Sequence, residues 1–189
     1  MTQNQQTPQT LNGFDLDAMR GTLDAISSEP LVAKFQFRAT NSWLGGGHNR
    51  TTVTDFDGAC QKHVHEKPHV LDNDEPPVLL GTDKAANPAV VALHALAGCL
   101  CSALVLHAAA RGIEVRSVES TLEGDIDLQG LLGMDPSVRN GFEGVRVGIK
   151  VDADASSELI DELVEIAAAR SPLYDIIVNP TPLAVRRIY

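Results

Sequence analysis

The stretch that most constrains this chain is the run PAVVALHALAGCLCSALVLHAAAR from Pro88 to Arg111. Asn87-Pro88 supplies a capping residue and then the proline favoured at the first helical position; Gly112 is the glycine favoured just past a helix end. Apolar residues fall on nearly every side, so the spacing predicts a buried helix over 88–111 rather than a surface one. At 189 residues the chain is long enough to fold as one domain around such a helix.

Elsewhere the pattern alternates between two periods. Leu16, Met19, Leu23 and Ile26 recur at helical steps, which predicts a short amphipathic helix over 15–28 with Asp15 as its cap and Pro30 as its stop. From Val32 to Ala39 the period becomes two, as in a half-buried strand. Gly45-Gly46-Gly47 reads as a turn, 51–56 as a second strand, and Asp57-Gly58 as a hairpin leading to a third over 60–65. Residues 66–87, rich in Pro, Asp and Asn, read as a long loop. After the central helix come strands near 113–127 and 142–151, a helix over 156–169, a turn or helix after Ser171-Pro172, and a closing strand over 183–188. Residues 1–13 are polar and predict a flexible arm, leaving 14–189 as a single domain.

Charge and cysteine usage narrow the function classes. A net charge of −10 repels phosphate backbones, so no nucleic-acid partner is expected. No stretch is read as the roughly 20 apolar residues of a membrane span, and MTQNQQTPQT lacks the basic and apolar regions of a secretory signal. A cytoplasmic protein is expected. Three cysteines at these spacings suggest no disulfide framework, so they are expected as thiols.

Several spaced motifs, in order, resemble the OsmC/Ohr family: NPAVVALHALAGCL at 87–100, RGI at 111–113, GDIDLQG at 124–130 and SPLYDIIVNPTPL at 171–183. The segment DEPPVLLGTDKAANP at 74–88 resembles the one before the central helix in one OsmC-like branch. The resemblance covers about residues 32–189. It implies an α+β fold with antiparallel sheets packed around a long central helix, in an intertwined homodimer with sites at the subunit interface. It also implies thiol-dependent reduction of organic hydroperoxides, with no cofactor.

Carried over by residue, the resemblance places the reactive cysteine of the family at Cys99. A thiolate there would attack a peroxide and become a sulfenic acid, which requires a cation or dipole nearby. Mid-helix placement supplies little dipole, so an arginine is needed; the family's arginine corresponds best to Arg50, with Arg38 as competitor. The family's second cysteine corresponds to Ser171, which cannot form a disulfide, and the glutamate that orients the arginine falls at Ala89. Tyr174 lies in the same turn as Ser171, and both are expected near the pocket. Cys101 is about 200° round the helix from Cys99 and cannot bridge to it without unwinding. The expected activity is thus a one-cysteine cycle with a low-molecular-weight thiol as reductant. The alternative is a non-enzymatic dimer binding a small hydrophobic ligand in its interface cavity.

The remaining candidates favour packing over chemistry. Cys99 itself can be read as a small core hydrophobe, as can Cys101. Cys60, His63, His65 and His69 are the residue types of a zinc site, but on a strand Cys60 faces away from His63 and His65, and no metal is expected. His94 and His107 are read as satisfied core histidines. The acidic DNDEPP at 72–77 lacks EF-hand spacing, and the three glycines lack a following GK[ST].

Overall fold

The computed structural model describes residues 9–189; the first eight residues of the expected flexible arm lie outside it. The chain begins with a hairpin of β1 (Thr10–Leu11) and β2 (Phe14–Asp15), turned by Asn12 and Gly13, both at positive φ. It continues as α1 (Leu16–Ser28), a 3-10 turn at Pro30–Ala33, β3 (Gln36–Phe37), β4 (Thr40–Gly45), β5 (His48–Gly58) and β6 (Gln61–Asn73). The second half is α2 (Pro88–Ala110), β7 (Val115–Asp125), α3 (Leu128–Leu131), β8 (Gly144–Ala153), α4 (Ser157–Arg170) and α5 (Pro172–Val178). By their contacts these form two compact units, one of residues 9–10 with Asp15–Ala92 and the other of Leu93–Tyr189 with Leu11–Phe14.

Asp15 caps α1 by accepting from the Asp17 and Ala18 amides, as the sequence predicts. The expected strand over 32–39 is largely replaced. Glu29 accepts from the Leu31 amide and Pro30 starts a 3-10 turn, which leaves only Gln36–Phe37 paired before β4 begins. β5 is the centre of a four-stranded antiparallel sheet with β3, β4 and β6 as neighbours. The β5–β6 turn falls at Ala59-Cys60, both at positive φ, two residues beyond the expected Asp57-Gly58.

Residues 66–73, expected as loop, are instead the second half of β6, with His69–Asn73 paired to Asn49–Val53. The ladder is broken between Val53↔His69 and Asp55↔Val64, which leaves His65–Pro68 opposite Thr54 alone. Pro68 has no amide to give a ladder, so a bulge is where a strand can accommodate it.

The true loop, 74–87, is built around one carboxylate. Asp74, nearly fully buried, accepts from the Thr82 hydroxyl at 2.6 Å and from the amides of Glu75, Thr82 and Lys84 at 2.8, 3.2 and 3.1 Å. The Thr82 hydroxyl, with those amides, pulls the Asp74 carboxyl down from 3.8 to about 2. The Arg50 guanidinium does the same to Asp72 at the end of β6, also to about 2. Carboxylates depressed on folding stabilise the fold fully above the unfolded value near 4 and cease to do so as pH falls through about 2. Thermal midpoints measured from pH 5 to pH 2 should therefore fall steeply across that window. Asp74→Asn should lower the midpoint at pH 5 and flatten the decline; an unchanged slope in the variant would remove Asp74 from the account.

In the second unit β7 and β8 form one long antiparallel ladder. Leu104, Ala108, Ile113, Ala153, Leu163 and Ala167 make its core, with Val118, Ile149 and Val151 of the ladder packed against them. Thus α2 and α4 lie on one face of the β7–β8 sheet. Asn12, in the Leu11–Phe14 turn that belongs to this unit, donates its amide to the Ile113 carbonyl at 2.8 Å and accepts from the Val115 amide on Oδ1 at 2.9 Å. Residues 11–13 are therefore not the loose arm expected of them. Their polar composition hides a side chain that satisfies both backbone groups where α2 hands over to β7.

Two further expectations fail. α2 has 23 residues and no Asp, Glu, Lys or Arg, so by length and composition it does reach what a membrane crossing requires. Its residues buried by this chain, Leu96, Leu100, Leu104, Ala108 and Ala109, form one stripe rather than a fully covered helix. The closing strand over 183–188 does not form. Residues 179–189 find no ladder partner among the described residues, and Leu183, Val185 and Ile188 stand exposed.

Candidate active site at Cys99

Cys99 sits mid-way along α2, half-buried, one residue before the buried Leu100. α4 ends at Arg170, and Ser171 then serves two helices: it closes α4 and caps α5. This double duty follows from Ser171-Pro172. Proline cannot continue α4, is favoured at the first position of α5, and leaves the serine before it to cap. The Ser171 oxygen accepts from the Tyr174 amide at 3.1 Å, and its hydroxyl donates to Cys99 Sγ at 3.1 Å. At 2% exposed, Ser171 is among the most deeply buried polar side chains described.

Three of the five expected site residues, Cys99, Ser171 and Tyr174, are thus brought together within one unit. Tyr174 contributes its backbone amide, and its side chain is exposed. What the sequence reading missed is the direct bond from Ser171 to the sulfur. The capping pattern at Ser171-Pro172 is the trace of it in the sequence, because it fixes where the oxygen points.

Arg50 and Arg38 belong to the other unit, and each is engaged by carboxylates of its own sheet. Arg50 forms a forked pair with Asp72, at 2.7 and 2.8 Å. Arg38 reaches Asp55 at 2.7 Å and Asp57 at 2.6 Å, and its guanidinium also donates to Gln36. Those partners raise both guanidinium groups further above an ordinary arginine, with hydrogen bonds the leading cause. Asp55 and Asp57 are lowered in return, Arg38 again leading.

The other cysteines and histidines separate by environment. Cys60 is exposed in the β5–β6 turn at positive φ, and Cys101 is half-buried rather than core. His63 stacks on Phe56 at 4.7 Å and lies 3.1 Å from the Gly58 carbonyl, while His65 and His69 meet edge-on at 4.5 Å. Among the described residues no three such side chains converge as metal ligands. His94 is exposed rather than core. His107 is half-buried, and burial, then Arg111 and Arg170, make it harder to protonate than an ordinary histidine.

The second unit thus sets a half-buried helical thiol against a buried hydroxyl on an α+β frame. The family model described as OsmC-like protein matches residues 81–186, more than half the chain, and the protein belongs to that family. Among solved structures it is similar to an OsmC-like protein from Mycoplasma pneumoniae, at 16% identity and a TM-score of 0.56, over 77% of this chain and 89% of that one. It is likewise similar to an OsmC-like protein of unknown function from Vibrio cholerae, at 13% identity and a TM-score of 0.54, over 75% and 92%. At these identities the likeness is one of fold. No curated protein matches the chain.

Proposed function

We propose that this OsmC-family protein is a thiol-dependent redox enzyme that reduces small organic hydroperoxides through Cys99 in a one-cysteine cycle. The observation that carries the reading is the buried Ser171 hydroxyl donating to Cys99 Sγ. The bond holds the sulfur in one orientation with a donor beside it as it attacks, and a hydroxyl cannot close a disulfide.

In the proposed cycle the Cys99 thiolate attacks the terminal oxygen of the hydroperoxide. An S–O bond forms as the O–O bond breaks, and the departing alkoxide takes up a proton to leave as the alcohol. Cys99 is left as a sulfenic acid. A low-molecular-weight thiol then attacks that sulfur, releasing water and forming a mixed disulfide, and a second thiol regenerates Cys99. The arginine of this reading is Arg50 or Arg38, which must first leave Asp72, or Asp55 and Asp57. We place the enzyme in the cytoplasm as a homodimer, in which a partner subunit would cover the side of α2 outside the Leu96, Leu100 and Leu104 stripe.

Consumption of cumene hydroperoxide with excess thiol should fall at least roughly a hundredfold, to background, in Cys99→Ser. Equal rates in the two proteins would sink the enzyme reading. A second reading, a dimer that binds a small hydrophobic ligand without chemistry, is favoured by Ile176, Ile177 and Val178, exposed on α5 behind Ser171 and Tyr174. It would be upheld by ligand binding indifferent to Cys99→Ser alongside no peroxide consumption.

A further inference from the structure

We propose that Ser171 is a positioning residue for the Cys99 sulfur, and that its role depends on the capping bond it receives from α5. A serine hydroxyl has one proton to give and two lone pairs with which to accept. Here one lone pair is occupied by the Tyr174 amide at 3.1 Å, and the proton is directed to Cys99 Sγ at 3.1 Å. The side chain is buried, so no solvent competes for that proton. The cap thereby fixes the direction of donation, and α5 holds the donor in place from the protein side.

Two consequences follow for sulfur chemistry. Before oxidation the hydroxyl holds Sγ in one orientation and donates to it as it attacks. After oxidation the same hydroxyl has no sulfur with which to condense, so the sulfenic acid stays at Cys99 until an external thiol arrives. Half of this inference, the meaning of the oxidised state, rests on the peroxidase reading. The donor role of Ser171 does not, and its test uses no peroxide.

The experiment is alkylation of the reduced, full-length protein by iodoacetamide at pH 7, with each cysteine followed separately by peptide mass spectrometry. Ser171→Ala should slow alkylation of Cys99 roughly tenfold, the scale of one hydrogen bond to a charged group. Ser171→Thr keeps the hydroxyl and should restore the rate to within about twofold. Cys60 and Cys101 serve as internal references. Unfolding would speed alkylation of all three thiols, the opposite of the expected change at Cys99. Should Ser171→Ala unfold, Ser171→Gly removes the hydroxyl with little loss of capping and is read the same way. An unchanged or faster Cys99 rate in the folded hydroxyl-free variant overturns the proposal, as does a threonine variant as slow as alanine. If the wild type consumes no hydroperoxide but this pattern holds, the enzyme reading fails and the donor role of Ser171 stands. If peroxide is consumed and the pattern is absent, the reverse is true.

Discussion

Ser171→Cys is expected to make Cys99 one half of an intramolecular disulfide. The Ser171 oxygen lies 3.1 Å from Cys99 Sγ, and both side chains are held by helix ends and a packed core. A disulfide needs about 2 Å between sulfurs, and the longer C–S bond closes part of the difference. One equivalent of hydroperoxide would oxidise Cys99 to the sulfenic acid, and the new thiol would displace water from it. Of the four thiols in the variant, two would disappear, with a mass loss of two hydrogens and a reversible mobility change on a non-reducing gel. Joining residues 99 and 171 also restricts the unfolded chain, which should raise stability by about 4 kcal/mol in the oxidised state. Oxidant that leaves all four thiols titratable, or sulfenic acid trapped at Cys99 in the variant, would contradict the contact.

The second large effect concerns Gly81→Ala. A Cβ at Gly81 would lie 1.7 Å from the Glu75 carbonyl oxygen and 2.2 Å from its carbon. Those are backbone atoms, and neither segment is free to move. Gly81 donates its amide to the Pro76 carbonyl, Asp83 donates to the Glu75 carbonyl, and Asp74 ties the loop together behind them. The substitution should therefore cost about 3 kcal/mol, seen as a fall of roughly 10 °C in the thermal midpoint. Gly21→Ala is the control. It lies in α1 with nothing near the added methyl, and should stabilise by up to about 1 kcal/mol. Equal small effects at both positions would mean that the 74–87 loop is not braced in this way.

The elements that were legible before the structure are those with a strong period or a sharp terminus. α1, α2, α4, β7 and β8 lie within a few residues of where apolar spacing and capping residues put them. The failures have a common cause. The second half of β6 is polar, because its pairing with β5 is made by backbone groups and not by an apolar face. Residues 183–188 carry the strand formers Val185 and Ile188, yet a strand exists only where an edge is present to receive it. Residues 11–13 read as part of an arm because a single asparagine side chain carries their attachment.

The site divides in the same way. From its sequence the chain determined a long uncharged helix, a thiol at Cys99 within it, and a serine before a proline at Ser171. These are properties of residue type and spacing, and they sufficed to reveal the family. Only the tertiary structure decided that the Ser171 hydroxyl meets the Cys99 sulfur, and that Arg38 and Arg50 are held by aspartates of their own sheet. Local spacing carries no information about which distant groups share a proton. Seventy-two residues separate Cys99 from Ser171, and the bond between them exists because α2, α4 and the β7–β8 sheet close on one core.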